Sequence, residues 1–288
     1  MSTFMMNWPD RLVEDLAKKK CVVFLGSGIS ANSENDAGDR PPTWRSLLEM
    51  CVNRITDQSM KKQITKVINN NDLLLACELI RRAMGRDDYN QFLINTFQKG
   101  YHSAEIHKEI FMLDAPIYIT PNFDKIFDTY VTTETRGNTV IKRYDEDDIL
   151  DFVRKGSNMI LKIHGTIDAP DHLIFTKADY AKARIQFAGF YRILESLILT
   201  KTFLFIGAGL NDPDIQLMLE NLAFTYKYSS KHFFVIPEQK DDLLKIYSEN
   251  MKLQFITYNK KDNHVQLLEG LRQLNQQVSE YVSSCRIG

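Results

Sequence analysis

A glycine turn after an apolar run is the first feature of the chain that indicates ligand chemistry. Residues 21–25 (CVVFL) are typical of a buried strand, and Gly26, Ser27 and Gly28 follow them directly. Glycine permits positive φ and lets a ligand approach backbone atoms that a Cβ would shield. The N–H groups at the start of a following helix would then face a phosphate, so the pattern predicts a nucleotide site. A plain tight turn between a strand and a helix would use the same glycines.

Four more short runs, rich in β-branched and aromatic residues, are followed at once by glycines or polar residues. These runs are residues 117–119, 159–163, 202–206 and 232–236. The residues that follow them are, in chain order, Asn122 and Asp124, His164, Gly207 and Ala208, and Glu238. Ligands of open α/β sheets bind beyond the carboxyl ends of the strands. The sequence therefore predicts that these residues share one site.

Strand-like runs alternate with helix-like segments over the second half of the chain. Residues 253–258 add a last strand, and helical spacing is found in residues 178–199, 212–226 and 263–282. Alternation of buried strands with helices is typical of a parallel sheet that is covered on both faces. The predicted fold class is α/β, with a Rossmann-like, mostly parallel sheet.

The region between the first two strands is predicted to be helical. Apolar residues recur at threes and fours in residues 44–55, 60–68, 72–84 and 87–97. We interpret residues 44–113 as a helical lobe inserted into a Rossmann-like core of residues 20–43 and 114–288, all within one domain of residues 1–288. A first helix is expected in residues 8–19, with Asp10 as its cap.

Composition limits the class of protein. The 288 residues hold 36 Lys and Arg against 37 Asp and Glu, so the net charge of −1 gives no general attraction to nucleic acid. No apolar run is long enough for a membrane span, and the N-terminus does not have the pattern of a signal peptide. The four cysteines include no Cys-x-x-Cys pair, which indicates reduced thiols in the cytoplasm and no zinc site.

The order of the motifs resembles that of the sirtuins. Similarity is closest to a bacterial sirtuin-like branch that contains NAD-cleaving proteins of antiphage defence. Besides the glycine turn, it rests on the segments TPNFDKIFD (120–128), KIHGTID (162–168), TKADY (176–180) and FIGAGLNDPD (205–214). The resemblance covers residues 20–236, and it implies NAD as the substrate.

The sequence also departs from the sirtuin pattern. Paired cysteines for a zinc module are missing, Ser27 stands where alanine is usual, and Pro121 stands where glutamine is usual. The Asp-Phe-Arg that usually follows at Gly38 is also absent. These departures argue against peptide deacylation, but they leave binding and cleavage of NAD in place.

By this resemblance, His164 contacts the ribose hydroxyls and acts as general base, and Asn122 orients a water or the ribose. Asp124 engages the nicotinamide carboxamide, and Glu238 accepts from the adenosine ribose. The remaining cofactor-binding residues are Gly26, Ser27, Gly28, Ser30, Gly207 and Ala208. Cleavage of the nicotinamide–ribose bond passes through an oxocarbenium-like transition state, which needs charge stabilisation and a positioned nucleophile.

Structural roles are the alternative for several of these residues. His164 could be a buried structural histidine, and Asn122 could cap a helix that starts at Phe123. Asp212 and Asp214 flank a proline, which is typical of the first turn of a helix, and no third metal ligand accompanies them.

The leading functional hypothesis is an NAD glycohydrolase that acts as the effector of a bacterial antiphage system. The resemblance implies control by assembly, through a homo-oligomer or a partner ATPase that translocates DNA. A deacylase and a nucleotide-sensing or DNA-processing subunit are alternatives. So is an oxidoreductase, since Ala31 completes a loose Gly-x-Gly-x-x-Ala fingerprint, but the acidic residue expected about 20 positions later falls on a helix at Glu49.

Overall fold

A computed structural model describes residues 6–210, 212–239 and 241–287 of the chain. Within these ranges the strands are β1 (Cys21–Leu25), β2 (Ile117–Thr120), β3 (Val140–Arg143), β4 (Met159–Lys162), β5 (Thr202–Ile206), β6 (His232–Pro237) and β7 (Leu253–Tyr258). They form one parallel sheet in the order β3-β4-β2-β1-β5-β6-β7. The central position of β1, between β2 and β5, confirms the Rossmann-like α/β fold.

Helices connect the strands and cover the sheet. In the first half of the chain they are α1 (Asp10–Ala17), α2 (Ser27–Ser30), α3 (Trp44–Arg54), α4 (Gln58–Asn69), α5 (Leu73–Met84), α6 (Arg86–Phe97) and α7 (Glu105–Met112). In the second half they are α8 (Ile126–Glu134), α9 (Ile149–Lys155), α10 (Lys177–Gln186), α11 (Ala188–Thr200), α12 (Pro213–Thr225), α13 (Asp241–Asn250) and α14 (Lys261–Ile287). Helices α3 to α7 follow one another between β1 and β2, as the helical spacing predicted.

The side chains of β1 alternate between two hydrophobic clusters, one on each face of the sheet. Cys21, Val23 and Leu25 pack in the cluster that holds residues of α1, α7 and α14. Val22 and Phe24 pack in the cluster that holds residues of α10, α11 and α12. Because both faces are buried, the strand reads as a continuous apolar run and shows no polar alternation.

A third hydrophobic cluster belongs to α3, α4, α5 and α6 and reaches the loops at the carboxyl edge of the sheet. The loop residues that join it are Phe123, Ile167, Leu173 and Phe175. These four helices, called the helical lobe below, therefore pack over the edge where the predicted site residues lie.

Three local expectations differ from the structure. Residues 178–199 form two helices, α10 and α11, which meet at Phe187. The edge strand β3 was missed, because two of its four residues are charged and all four are only half-buried. Asp10 does not cap α1: the cap is Pro9, and Asp10 is the first helical residue, where its charge still suits the helix dipole.

Candidate functional site

The carboxyl ends of β1, β2, β4 and β5 border one cavity of about 340 Å³. From β1 the chain continues to β2, towards the β3 edge of the sheet, and from the adjacent β5 it continues to β6, towards the β7 edge. Open α/β sheets bind ligands where the strand order reverses in this way. The wall that these strand ends contribute, called the sheet-edge wall below, consists of Gly26, Ser27, Ser30, Pro121, Asn122, Phe123, Asp124, His164, Ala208, Gly209 and Asp212.

His164 lies two residues beyond β4 and is only 6% exposed. Its Nε2 is 3.0 Å from Oδ2 of Asp212, and its ring packs edge-on against Tyr180 with the ring centroids 5.1 Å apart. The Tyr180 hydroxyl donates a hydrogen bond of 3.1 Å to the same Asp212 oxygen. The imidazole is therefore held by a carboxylate and by an aromatic ring.

Asp212 has a second role as the cap of α12. Its Oδ1 accepts hydrogen bonds from the backbone N–H groups of Asp214 and Ile215, each 3.0 Å long. This confirms the capping role that the sequence indicated. Burial acts to raise the pKa of Asp212, but His164 and the hydrogen bonds to the carboxylate outweigh it and lower that pKa below its usual value. The carboxylate is therefore charged at neutral pH.

Asn122 joins the loop after β2 to the turn after β1. Its side-chain amide donates to Ser30 Oγ over 3.1 Å, and its backbone N–H donates to Thr120 Oγ1 over 3.1 Å. The capping alternative for Asn122 is wrong, because α8 begins at Ile126. The N–H of Ile126 donates instead to Oδ1 of Asp124, over 3.1 Å. Asn122 therefore lines the cavity and does not cap α8.

A buried lysine lies beneath this loop. Lys162, 1% exposed at the end of β4, donates from Nζ to the backbone carbonyl of Asp124 over 2.6 Å and to Oδ2 of Asp128 over 2.7 Å. Burial raises the pKa of Asp128, and the Lys162 ammonium opposes that shift. The ion pair ties β4 to α8 and so determines where the loop that carries Asn122 and Asp124 lies.

The glycine turn is shaped by close packing of two backbone segments. A Cβ on Gly26 would collide with the backbone of Gly207 and Ala208, and one on Gly28 would lie 2.9 Å from the Gly207 carbonyl oxygen. The positive φ expected in this turn is not found at Gly26, where φ is −90°. The neighbouring Gly207 has a positive φ of 64°.

The N–H groups of this turn are largely engaged within the protein. Gly26 donates to Ile206 over 3.0 Å, Gly28 to Gly207 over 2.9 Å, and Ile29 to Gly26 over 3.1 Å. The prediction that free N–H groups at the start of the following helix face a phosphate therefore fails for Gly28 and Ile29. The polar groups that this turn offers to the cavity include the side chains of Ser27 and Ser30.

The opposite wall of the cavity, called the lobe wall below, is mostly apolar. It consists of Pro42, Thr43, Trp44, Arg45, Leu47, Asn71, Leu73 and Phe97. Phe175 of the sheet loops packs against it, with its ring centroid 6.3 Å from that of Trp44. Aromatic faces of this kind accept the planar rings of a ligand.

A bidentate ion pair joins the helical lobe to the sheet side of the cavity. Arg81 on α5 donates from Nη1 to both carboxylate oxygens of Asp179, each over 2.9 Å, and from Nη2 to Thr176 Oγ1 over 2.9 Å. Thr176 and Asp179 form the capping box of α10, the helix that carries Tyr180. The lobe is therefore anchored next to the partners of His164.

The structure brings most of the predicted site residues together. Those that line the cavity are Gly26, Ser27, Ser30, Asn122, Asp124, His164 and Ala208. Gly28 and Gly207 pack behind this lining. Glu238 is exposed beyond β6, its N–H donates to the Tyr258 carbonyl over 2.8 Å, and it is not among the lining residues.

Sequence reasoning missed the contact of Asp212 and Tyr180 with His164. Both residues stand in motif segments, NDPD and TKADY, so their presence near the site was signalled. Their mutual distance depends on how α10 and α12 pack, which no short motif encodes. The lobe wall was missed for the same reason.

Neither a metal centre nor a membrane-spanning helix is found among the described residues. No group of three or more His, Cys, Asp or Glu side chains there is arranged to hold a metal ion. No helix in that part of the chain is long and apolar enough to cross a membrane.

The fold and the cavity define an α/β ligand-binding domain with its site at the carboxyl edge of a parallel sheet. A family model described as a SIR2-like domain matches residues 116–256, which include the strand ends that carry Asn122 and His164. Over this range the chain is similar to SIR2-like domains, in agreement with its motif order.

Similarity to curated proteins extends over most of the chain. It is 26% identical over 228 residues to the NAD(+) hydrolase ThsA of Acinetobacter baumannii (strain 532279), covering 79% of this chain and 44% of that protein. The corresponding values for the NAD(+) hydrolase ThsA of Bacillus cereus (strain MSX-D12) are 23% over 230 residues, 79% and 45%. For Defense-associated sirtuin 2 of Bacillus subtilis they are 24% over 251 residues, 85% and 24%. The match thus spans less than half the length of each of these relatives.

Proposed function

We propose that this chain hydrolyses NAD, breaking the bond between nicotinamide and ribose and releasing nicotinamide and ADP-ribose. The observation that carries the proposal is the presence of Asn122 and His164 in one cavity of a sirtuin-like fold. Relatives that share 23–26% of their aligned residues with the chain bear the name NAD(+) hydrolase, which supports the same reaction. The cavity suits a dinucleotide, because its sheet-edge wall is polar and its lobe wall is apolar.

In this reaction water adds to the anomeric carbon of the ribose as the bond to nicotinamide breaks. His164 is the proposed general base, and Asn122, which carries a donor and an acceptor, orients the water or the ribose. Asp124 is assigned to the nicotinamide carboxamide. The proposed phosphate and ribose contacts in the cavity lining are Gly26, Ser27, Ser30 and Ala208. Gly28 and Gly207 support that lining, and the assignment of Glu238 to the adenosine ribose stays a prediction.

The direct test is nicotinamide release from NAD, followed by liquid chromatography over a range of protein concentrations. Replacement of His164 by alanine should lower the rate by at least about 100-fold, the usual range for loss of a general base. His172→Ala is the matched control, because His172 is exposed and does not line the cavity. Comparable rates for His164→Ala and the wild-type chain would contradict the mechanism. Absence of nicotinamide release at every concentration would contradict the activity.

We further propose that the activity serves antiphage defence by depleting NAD in the bacterial cytoplasm. The similarity to Defense-associated sirtuin 2 supports this role. Loss of cellular NAD after phage infection, present with the wild-type gene and absent with His164→Ala, is the expected result. Equal NAD levels in the two strains would contradict it.

Control of this activity by assembly is also proposed, through a homo-oligomer or a partner ATPase from the same operon. Exposed apolar side chains on and after α12, namely Leu217, Phe224 and Tyr228, support the first of these. Light scattering of the purified chain, with and without its operon neighbours, should show a mass above 33.4 kDa.

The division of the chain into a core and an inserted lobe of residues 44–113 also remains part of the proposal.

A further inference from the structure

Asp212 makes two kinds of contact at once, and together they determine the orientation of its carboxylate. One oxygen, Oδ1, accepts two backbone N–H groups at the start of α12. The other, Oδ2, faces His164 Nε2 at 3.0 Å and accepts from the Tyr180 hydroxyl at 3.1 Å. The carboxylate cannot rotate without losing the helix cap, so Oδ2 stays directed at the imidazole.

We propose that Asp212 is a positioning residue that holds the neutral His164 as its Nε2–H tautomer, so that the lone pair of Nδ1 is presented to the substrate. The catalytic part of this inference rests on the NAD hydrolysis proposed above. The tautomer itself is a property of the free protein and is tested separately.

Hydrogen-bond chemistry requires this tautomer. An ionised carboxylate only accepts hydrogen bonds, so the ring nitrogen that faces Oδ2 has to be the donor. A neutral imidazole carries one proton, and a proton on Nε2 leaves Nδ1 as the acceptor. The Tyr180 hydroxyl also donates to Oδ2, so Oδ2 is the acceptor in its contacts with both Tyr180 and His164.

The proton transfer then follows a defined path. Nδ1 of His164 takes a proton from the attacking water, whose oxygen bonds to the anomeric carbon. The electron pair of the breaking carbon–nitrogen bond leaves with nicotinamide. His164 becomes an imidazolium, which the charged carboxylate of Asp212 stabilises. The proton on Nε2 of His164 stays there, and Asp212 does not take it up. In this step Asp212 acts through His164.

Asp212→Asn separates positioning from folding. The two backbone N–H groups need an oxygen acceptor, so the amide oxygen keeps the capping position and the amide NH2 group takes the position of Oδ2. That group donates, which forces Nε2 of His164 to accept and moves the ring proton to Nδ1. The base then has no lone pair towards the substrate, although the helix cap is kept. Asp214→Asn is the matched control, because Asp214 lies in the same turn but contacts Arg184 and Tyr191.

The tautomer is measured by long-range ¹H–¹⁵N NMR of histidine in the free protein, with the His164 signals assigned by their loss in His164→Ala. We expect the Nε2–H pattern in the wild type and in Asp214→Asn, and the Nδ1–H pattern in Asp212→Asn. A wild-type His164 that carries its proton on Nδ1 would overturn the proposal. So would an identical pattern in the wild type and Asp212→Asn.

The kinetic arm measures kcat and KM for NAD separately. Asp212→Asn should lower kcat by about 100-fold or more and change KM less than about threefold, while Asp214→Asn keeps kcat within about threefold. Tyr180→Phe, which removes one donor to Oδ2, should lower kcat by less than about tenfold. A kcat for Asp212→Asn equal to that of the wild type would overturn the catalytic part. If the wild type does not cleave NAD, the proposed function fails, and the NMR result alone decides the tautomer.

Discussion

The two walls of the cavity are built by different physical means. On the sheet-edge wall, both candidate catalytic side chains have a hydrogen-bonded or ionic partner: Asn122 has Ser30, and His164 has Asp212. The lobe wall is made of packed apolar and aromatic side chains around Trp44. Directional bonds determine atom positions to a few tenths of an ångström, whereas apolar packing determines shape and excludes water.

This difference indicates a division of work in the cavity. The proposed reaction needs a base and an amide at defined positions, and the sheet-edge wall holds the two candidates, His164 and Asn122, through bonds between neighbouring segments. Exclusion of water strengthens those electrostatic interactions, and the apolar side chains of the lobe wall can exclude it. Substitutions on the two sides should therefore fail in different ways.

The largest effect on stability is expected for Lys162→Met. This change leaves the carboxylate of Asp128 buried without its partner, which costs about 3–5 kcal/mol in buried pairs. Lys125→Met breaks the half-exposed pair with Asp168 and should cost about 0–1 kcal/mol. Chemical denaturation of the three proteins measures both values. Equal midpoints for the two variants would remove the distinction between buried and exposed pairs at this edge.

The loss of stability that histidine protonation causes at low pH should arise on the sheet side of the molecule. Residues 44–101, which include the helices of the lobe, contain no histidine. Burial lowers the pKa of His107 on α7 and of His232 on β6 to about 4. Between that value and the usual 6.5, the unfolded chain binds a proton that the folded chain refuses. The free energy of unfolding therefore falls as pH drops through this window, by about 1.4 kcal/mol per pH unit for each histidine.

His107→Asn tests this pH dependence. The asparagine oxygen replaces Nδ1 as acceptor of the Ala104 N–H, a bond of 3.1 Å, but it does not titrate. Urea denaturation between pH 4.5 and 6.5 should then show a slope lower by about 1.4 kcal/mol per pH unit than that of the wild type. Identical slopes would show that the burial of His107 has no part in the acid sensitivity.

The smallest effect is expected where the two regions are joined. Arg81→Met removes the bidentate pair with Asp179, which is partly solvent-exposed, and should cost about 1 kcal/mol. It should also increase hydrogen exchange in α5 and at the start of α10. Arg82→Met is the control on the same helix, since its pair with Glu78 is long, at 3.9 Å, and exposed on the arginine side. The same exchange in both variants would mean that Arg81 does not hold the lobe to the sheet.

Much of the fold could be predicted because its signals are local. Strand β7 was expected at residues 253–258 and is found there, and the helices of the lobe begin and end within about two residues of the spacing pattern. The failures lie where local signals are weak. Strand β3 pairs on one side only, so its burial is incomplete and its pattern is indistinct.

The cavity lining could be predicted only in part. Asn122 and His164 follow buried strands, and parallel strands bring their carboxyl ends to one edge, so topology alone places both residues at the site. The exposed position of Glu238 could not be derived in this way, because β6 lies two strands away from β1. The position of a residue directly after a strand predicts that it lies at the carboxyl edge of the sheet. It does not predict how far that residue lies from the cavity.

The sequence by itself determined most of the sheet and the order of the motif residues, because apolar periodicity and glycine spacing are properties of short segments. Only the tertiary structure decided which groups face one another. Tyr180, Asp212 and His164 come from three separate segments, and their contact depends on how α10, α12 and the end of β4 pack. The glycine turn shows the same division: its residues were evident in the sequence, but its close contact with Gly207 required the neighbouring strand β5.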